Sequence, residues 1–189
     1  MQDIGTPDEG AESKNGITEA QINLEITLKV QKLLEQNGST VLLTRSDENS
    51  ICDVDSKTLR QKKISDVRNR VKIANNNSAD IFVSIHLNKI PQTQYFGWQC
   101  FYNTKNEKSI TLAKSIQENL NKSIQKENER VAMKLDNIYI MKNVEIPISI
   151  VECGFLSNPQ EEQQLQEESY QDRLAWGIYN GIVEYFSKF

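Results

Sequence analysis

Short apolar runs alternate along this chain with longer segments of helical period, and that alternation most limits what it can fold into. Thr40–Thr44, Ile81–His86 and Pro147–Cys153 are brief and rich in Ile, Leu and Val, as buried strands are. Phe96–Tyr102 is β-prone, and Ile138–Met141 reads as a further short strand. Ile22, Ile26, Val30, Leu33 and Leu34 recur at helical spacing and predict a helix from Thr18 to about Gln36. Thr18 and Gln21 have the spacing of a capping box, and Asn37-Gly38 is a stop signal. Ile64, Val67, Val71 and Ala74 mark a second helix from about Lys57 to Asn75, after a polar loop at 46–56. Ile110, Ala113, Ile116, Leu120 and Ile124 mark a third. Asn158-Pro159 opens a short acidic helix, and Leu174, Ile178, Ile182 and Phe186 line a last one from about Tyr170. The expectation is a single three-layer α/β domain over residues 1–189. Its central twisted, mostly parallel sheet has five or six strands, with helices on both faces.

Composition removes several function classes. The net charge is −4 with both signs mixed along the chain, so no basic field awaits nucleic acid. No apolar run is long enough to span a bilayer. The three cysteines, Cys52, Cys100 and Cys153, lack CxxC spacing and form neither a disulfide framework nor a thiolate zinc site. Structural thiols are the plain reading.

Open α/β sheets hold their ligands at the C-terminal ends of strands. His86, the single histidine, stands at such an end, and Glu152 follows the apolar run Ile148–Val151. A carboxylate there is costly to bury unless paired or bound; the plainer alternative is a glutamate emerging into a loop. Glu19 begins the first helix, where the helix dipole favours an acid without any function, and Asn23 follows one turn later on the same face. Together Glu19, His86 and Glu152 suit a hydrolytic zinc site, with N/O ligands and a further carboxylate as base. Spacing alone does not assign the roles.

The ordered segments resemble the zinc-dependent N-acetylmuramoyl-L-alanine amidases of the Amidase_3 type over nearly the whole chain. Pro7–Ala11 resembles the stretch after that family's first zinc histidine. Thr18–Leu24 is similar to its E-x-x-x-N-L helix start, Val41–Arg45 to its V-x-x-T-R strand, and Arg70–Asn75 to R-x-x-x-A-N. Ala79–Asn88 matches A-D-x-F-x-S-I-H-x-N, and Val151–Asn158 matches V-E-x-G-F-L-S-N. The resemblance implies cleavage of the bond between N-acetylmuramic acid and L-alanine in peptidoglycan. It also implies a Zn2+ cofactor, Glu19 and His86 as metal ligands, and Glu152 as the catalytic residue. A narrower similarity, through Leu59–Arg70, Ile138–Lys142 and Ser169–Gln171, is to the CwlD-type spore-cortex amidases of endospore formers.

One departure stands out. The family's first zinc ligand is a histidine in D-x-G-H-G, whereas this chain opens Asp3-Ile4-Gly5-Thr6-Pro7. Either Ile4 occupies that place or a His-Gly pair is missing after Gly5, and a domain short of its first strand is the favoured reading. Action on peptidoglycan implies an exported protein carrying a signal upstream, with the intermembrane space of the forespore as the narrower site. The 46–56 loop is too short and polar to plug a cleft, which leaves control to expression or to a regulatory protein partner. Two rivals remain open. One is a metal-free amide hydrolase using Cys153 as nucleophile and His86 as base, although Glu152 beside Cys153 disfavours the thiolate. The other is a catalytically inactive peptidoglycan-binding or partner-regulated domain.

Overall fold

Helix α1 (Glu19–Gln36) buries Ile22, Ile26 and Val30, the stripe its periodicity marks, with Leu33 and Leu34 partly covered. It appears here in a computed structural model that describes residues 10–189. The expectations for Asp3, Ile4 and Gly5 therefore lie outside the described residues. Thr18 is the N-cap residue of α1 but makes no side-chain cap bond, so the capping box expected with Gln21 does not form. The helix start is instead bridged to Glu12, and Glu19 N donates to Ala11 O at 2.8 Å. The box occurs one helix later: Thr58 and Gln61 cap α2 (Leu59–Asn76) reciprocally. Helix α2 buries Val67, Val71 and Ala74, whereas Ile64 stays exposed.

Strand β1 (Phe82–Asn88) is followed by β2 (Gln99–Tyr102), α3 (Glu107–Ile124), β3 (Met133–Lys134) and α4 (Tyr139–Asn143). Strand β4 (Ile148–Phe155), α5 (Pro159–Leu165) and α6 (Glu168–Phe186) complete the described chain. The sheet order is β1-β4-β2-β3. β1 and β4 are parallel, as are β2 and β3, while β2 runs antiparallel to β4. Helices cover both faces. α1, α3 and α6 enclose one apolar cluster with Leu87, Cys100, Val151 and Cys153. α2 and α4 enclose a second with Ile148 and Ile150. On α6, Gly181 permits close packing against α3, because a Cβ there would sit 2.8 Å from Ile116 N.

The expected sheet of five or six strands is corrected to four among the described residues. Thr40–Thr44 is not a strand. Arg70 holds Thr44 and Arg45 reaches Ala20 O, and a cleft of about 610 Å³ lies between this segment and β1. An apolar run without a ladder partner cannot satisfy its backbone as a strand. Ile138–Met141, also expected as a strand, is largely the short helix α4. Ile140, Met141 and Val144 pack into the second cluster, and Asn143 Nδ2 donates to Tyr139 O within the turn. Short apolar runs of this length suit either conformation.

Candidate active site

Cross-strand register gathers the site. His86 pairs with Glu152 across the parallel β1–β4 ladder, and Gln99 pairs with the same Glu152 across the antiparallel β4–β2 ladder. Residues directly opposite one another share a sheet face. His86, Glu152 and Gln99 therefore form a polar row on the face of Ile148 and Ile150. The alternation that buries Val151 and Cys153 on the far face delivers Glu152 to this one.

Glu19 comes to the row from α1. It is 1% exposed, and its Oε1 lies 3.0 Å from His86 Nδ1. Asn23 Nδ2 at 3.2 Å and Leu87 N at 3.1 Å donate to the same oxygen, and Ala11 N donates to Oε2 at 2.9 Å. Burial alone would raise this carboxyl. The His86 contact and the Ala11 and Leu87 amides hold it below its ordinary value instead. The other ring nitrogen, Nε2, lies 2.8 Å from Ser84 Oγ, so both edges of the imidazole are held.

Glu152 has the opposite environment. Burial pushes its carboxyl up to about 7, His86 pulls it down, and the Glu19 charge raises it again. Its Oε2 is shielded and has no hydrogen-bond partner among the described residues. Two neighbouring carboxyls are thus pushed apart in acidity, the pattern by which one site holds both a fixed anion and a proton acceptor near neutral pH.

The three residues singled out in the sequence are therefore brought together. Imidazole nitrogen and carboxylate oxygen are donors that zinc accepts, so Glu19 and His86 fit two places of such a site. Among the described residues no cluster of three or more His, Cys, Asp or Glu could hold a metal, and His86 is the chain's single histidine. The thiol reading fails on geometry. Cys153 is fully buried on the opposite face, and burial, Glu152 and Glu161 all push its thiol up, which suppresses the nucleophilic thiolate.

Sequence reasoning missed Glu161, Gln99 and Arg130. Glu161 looked like an ordinary first-turn acid of α5. It is 1% exposed and accepts from Gly97 N at 2.8 Å and Phe155 N at 2.9 Å, tying together the approaches to β2 and the end of β4. Burial raises its carboxyl, while those amides and the charges of Lys126 and Arg130 lower it. The available signal was its place three residues after the capping Asn158, whose side chain accepts from Glu161 N.

Fold and site together define an α/β domain with an acid–imidazole–acid cluster at the C-terminal ends of adjacent parallel strands, a hydrolase arrangement. The profile of the N-acetylmuramoyl-L-alanine amidase family, Amidase_3, matches residues 4–184. The chain belongs to this family, and it is an N-acetylmuramoyl-L-alanine amidase of peptidoglycan. It is 36% identical over 184 residues to the germination-specific N-acetylmuramoyl-L-alanine amidase of Bacillus subtilis (strain 168), spanning 97% of this chain and 77% of that protein. Its fold is similar to the CwlD amidase from Clostridioides difficile in complex with the GerS lipoprotein. That match has a TM-score of 0.94 and 43% identity, covering 98% of this chain and 95% of that one. An N-acetylmuramoyl-L-alanine amidase from Clostridium difficile 630 superposes with a TM-score of 0.85 at 30% identity, covering 97% and 92%.

Proposed function

We propose that Glu152 is the proton-transferring residue of this amidase, that Glu19 and His86 are protein ligands of a zinc ion, and that the substrate is spore-cortex peptidoglycan. The observation that carries the site reading is the in-register His86–Glu152 pair with Glu19 held 3.0 Å from the imidazole. Zinc, when bound, would bring the pKa of water to about 7 and polarise an amide carbonyl. Glu152 takes a proton from the attacking water as the C–O bond forms on the lactyl carbonyl. It delivers that proton to the departing nitrogen as the C–N bond breaks, leaving a lactyl carboxylate and the free amine of L-alanine. A carboxyl near pH 7 is suited to both halves of that transfer. Asn23 and the Leu87 amide hold Glu19 in one orientation, and Ser84 fixes the imidazole ring.

Likeness to a germination-specific amidase and to a CwlD structure supports the cortex as substrate. The same CwlD structure contains a lipoprotein, which supports a lipoprotein as regulatory partner of this chain. The protein acts outside the cytoplasmic membrane, in the intermembrane space of the forespore. Among the described residues no helix is long and apolar enough to cross a membrane.

Metal analysis of three variants tests the roles. Glu152→Ala retains zinc and loses hydrolysis, whereas Glu19→Ala and His86→Ala lose both. Full zinc in the last two variants removes the ligand assignment, and substantial hydrolysis by Glu152→Ala removes the proton-transfer role.

A further inference from the structure

Arg130 is held unusually firmly for a partly exposed cation. Its Nε donates to Phe96 O at 3.0 Å, its Nη1 donates to Gln99 Oε1 at 3.1 Å, and its guanidinium lies 4.8 Å from the centroid of the Phe155 ring. Gln99 is fixed in turn, since its Nε2 donates to Val131 O at 3.0 Å. Among the described residues no carboxylate lies within ion-pair distance of Arg130, and its Nη2 has no hydrogen-bond partner. A guanidinium held through Nε and Nη1 is preorganised to offer Nη2 to a carboxylate oxygen in a charge-assisted bond.

Its position relates it to the reaction. Gln99 is the cross-strand partner of Glu152, ~4.8 Å away by strand spacing. The guanidinium stands one hydrogen bond, 3.1 Å, beyond the Gln99 amide. In the peptidoglycan stem, the residue after L-alanine is a γ-linked D-glutamate with a free α-carboxylate. That carboxylate sits two residues from the scissile amide, up to ~7 Å along an extended chain.

We infer that Arg130, oriented by Gln99 and Phe155, binds the α-carboxylate of the second stem residue and so sets the peptide over β2. The site then selects stems with a free carboxylate over stems in which that group is amidated. The inference rests on the amidase reading.

The experiment compares two muropeptides, one with D-glutamate and one with D-isoglutamine at the second position, on wild type, Arg130→Gln and Arg130→Lys. Wild type prefers the free acid. Arg130→Gln loses about 10- to 100-fold in kcat/KM on the acid, as expected for loss of a charge-assisted bond, chiefly through KM. It stays within about threefold of wild type on the amide, a span of under ~0.7 kcal/mol. Arg130→Lys retains part of the preference, because charge remains while the planar group fixed by Phe96 and Gln99 is lost. An equal loss on both substrates marks a merely structural clasp and overturns the inference, as does no change on either. If wild type cleaves neither muropeptide, the amidase reading fails by itself. Calorimetric binding of the same pair then decides: a preference for the acid that Arg130→Gln abolishes supports the anchor, and equal binding by both proteins overturns it.

Discussion

Replacing Glu152 by glutamine should stabilise the metal-free protein, and by an amount that depends on pH. Burial raises this carboxyl from an ordinary 4.5 to about 7. An acid with a raised folded-state pKa keeps its proton in the native state while the unfolded chain has released it. The native state therefore binds more protons between pH 4.5 and 7, and stability falls as pH rises through that window. At 1.36 kcal/mol per unit, the shift corresponds to about 3 kcal/mol by pH 8. Glutamine carries no charge and escapes that loss. The stability difference between Glu152→Gln and wild type should grow from near zero at pH 4 to about 3 kcal/mol in favour of the variant at pH 8. Urea unfolding in the presence of a chelator, at half-unit pH steps, measures it as a change in midpoint at constant slope. A difference that does not vary with pH would refute the reasoning, because it would mean that the carboxylate is not desolvated in the fold.

Gly181→Ala opposes two effects: alanine gains up to ~1 kcal/mol in helix propensity, but its Cβ would crowd Ile116 N and Ser115 O at under 3 Å, and overpacking typically costs about 1–3 kcal/mol. Net destabilisation of about 1–2 kcal/mol is expected, and thermal unfolding reads its sign. Thr58→Ala should cost about 1 kcal/mol through loss of its capping bond, whereas Thr18→Ala, with no such bond, should cost clearly less in the same urea titration. Native protein treated with iodoacetamide should be alkylated at the partly exposed Cys52 but not at the buried Cys100 or Cys153. Activity should survive that treatment and disappear with a chelator; peptide mass spectrometry and a turnover assay check the two halves.

The elements most legible in the sequence were those whose burial pattern has only one structural solution. Ile22, Ile26 and Val30 could only be one face of a helix, and the alternation through Ile148–Cys153 places Glu152 and Cys153 on opposite faces without further information. Runs of four or five mostly apolar residues carry no such discrimination, and 40–44 and 138–141 differ from the strands their composition suggests. The first lacks a ladder partner, and the second closes a helical turn against α2. Glu19 illustrates the limit for the site. As a first-turn acid it has a sufficient local explanation in the helix dipole, and only the fold brings it to a histidine 67 residues away. Gln99, Arg130 and Glu161 owe their places to register and to loop contacts with Phe96, Gly97 and Phe155. Local composition does not encode those contacts.

The most direct test of the central account is hydrolysis of muropeptides in water enriched in ¹⁸O, with both products weighed by mass spectrometry. One ¹⁸O should appear in the lactyl carboxylate of N-acetylmuramic acid. The peptide should be unlabelled with a new amine on L-alanine, and Glu152→Gln should give no product. Label in the peptide, cleavage at any other bond, or wild-type turnover by Glu152→Gln would contradict it.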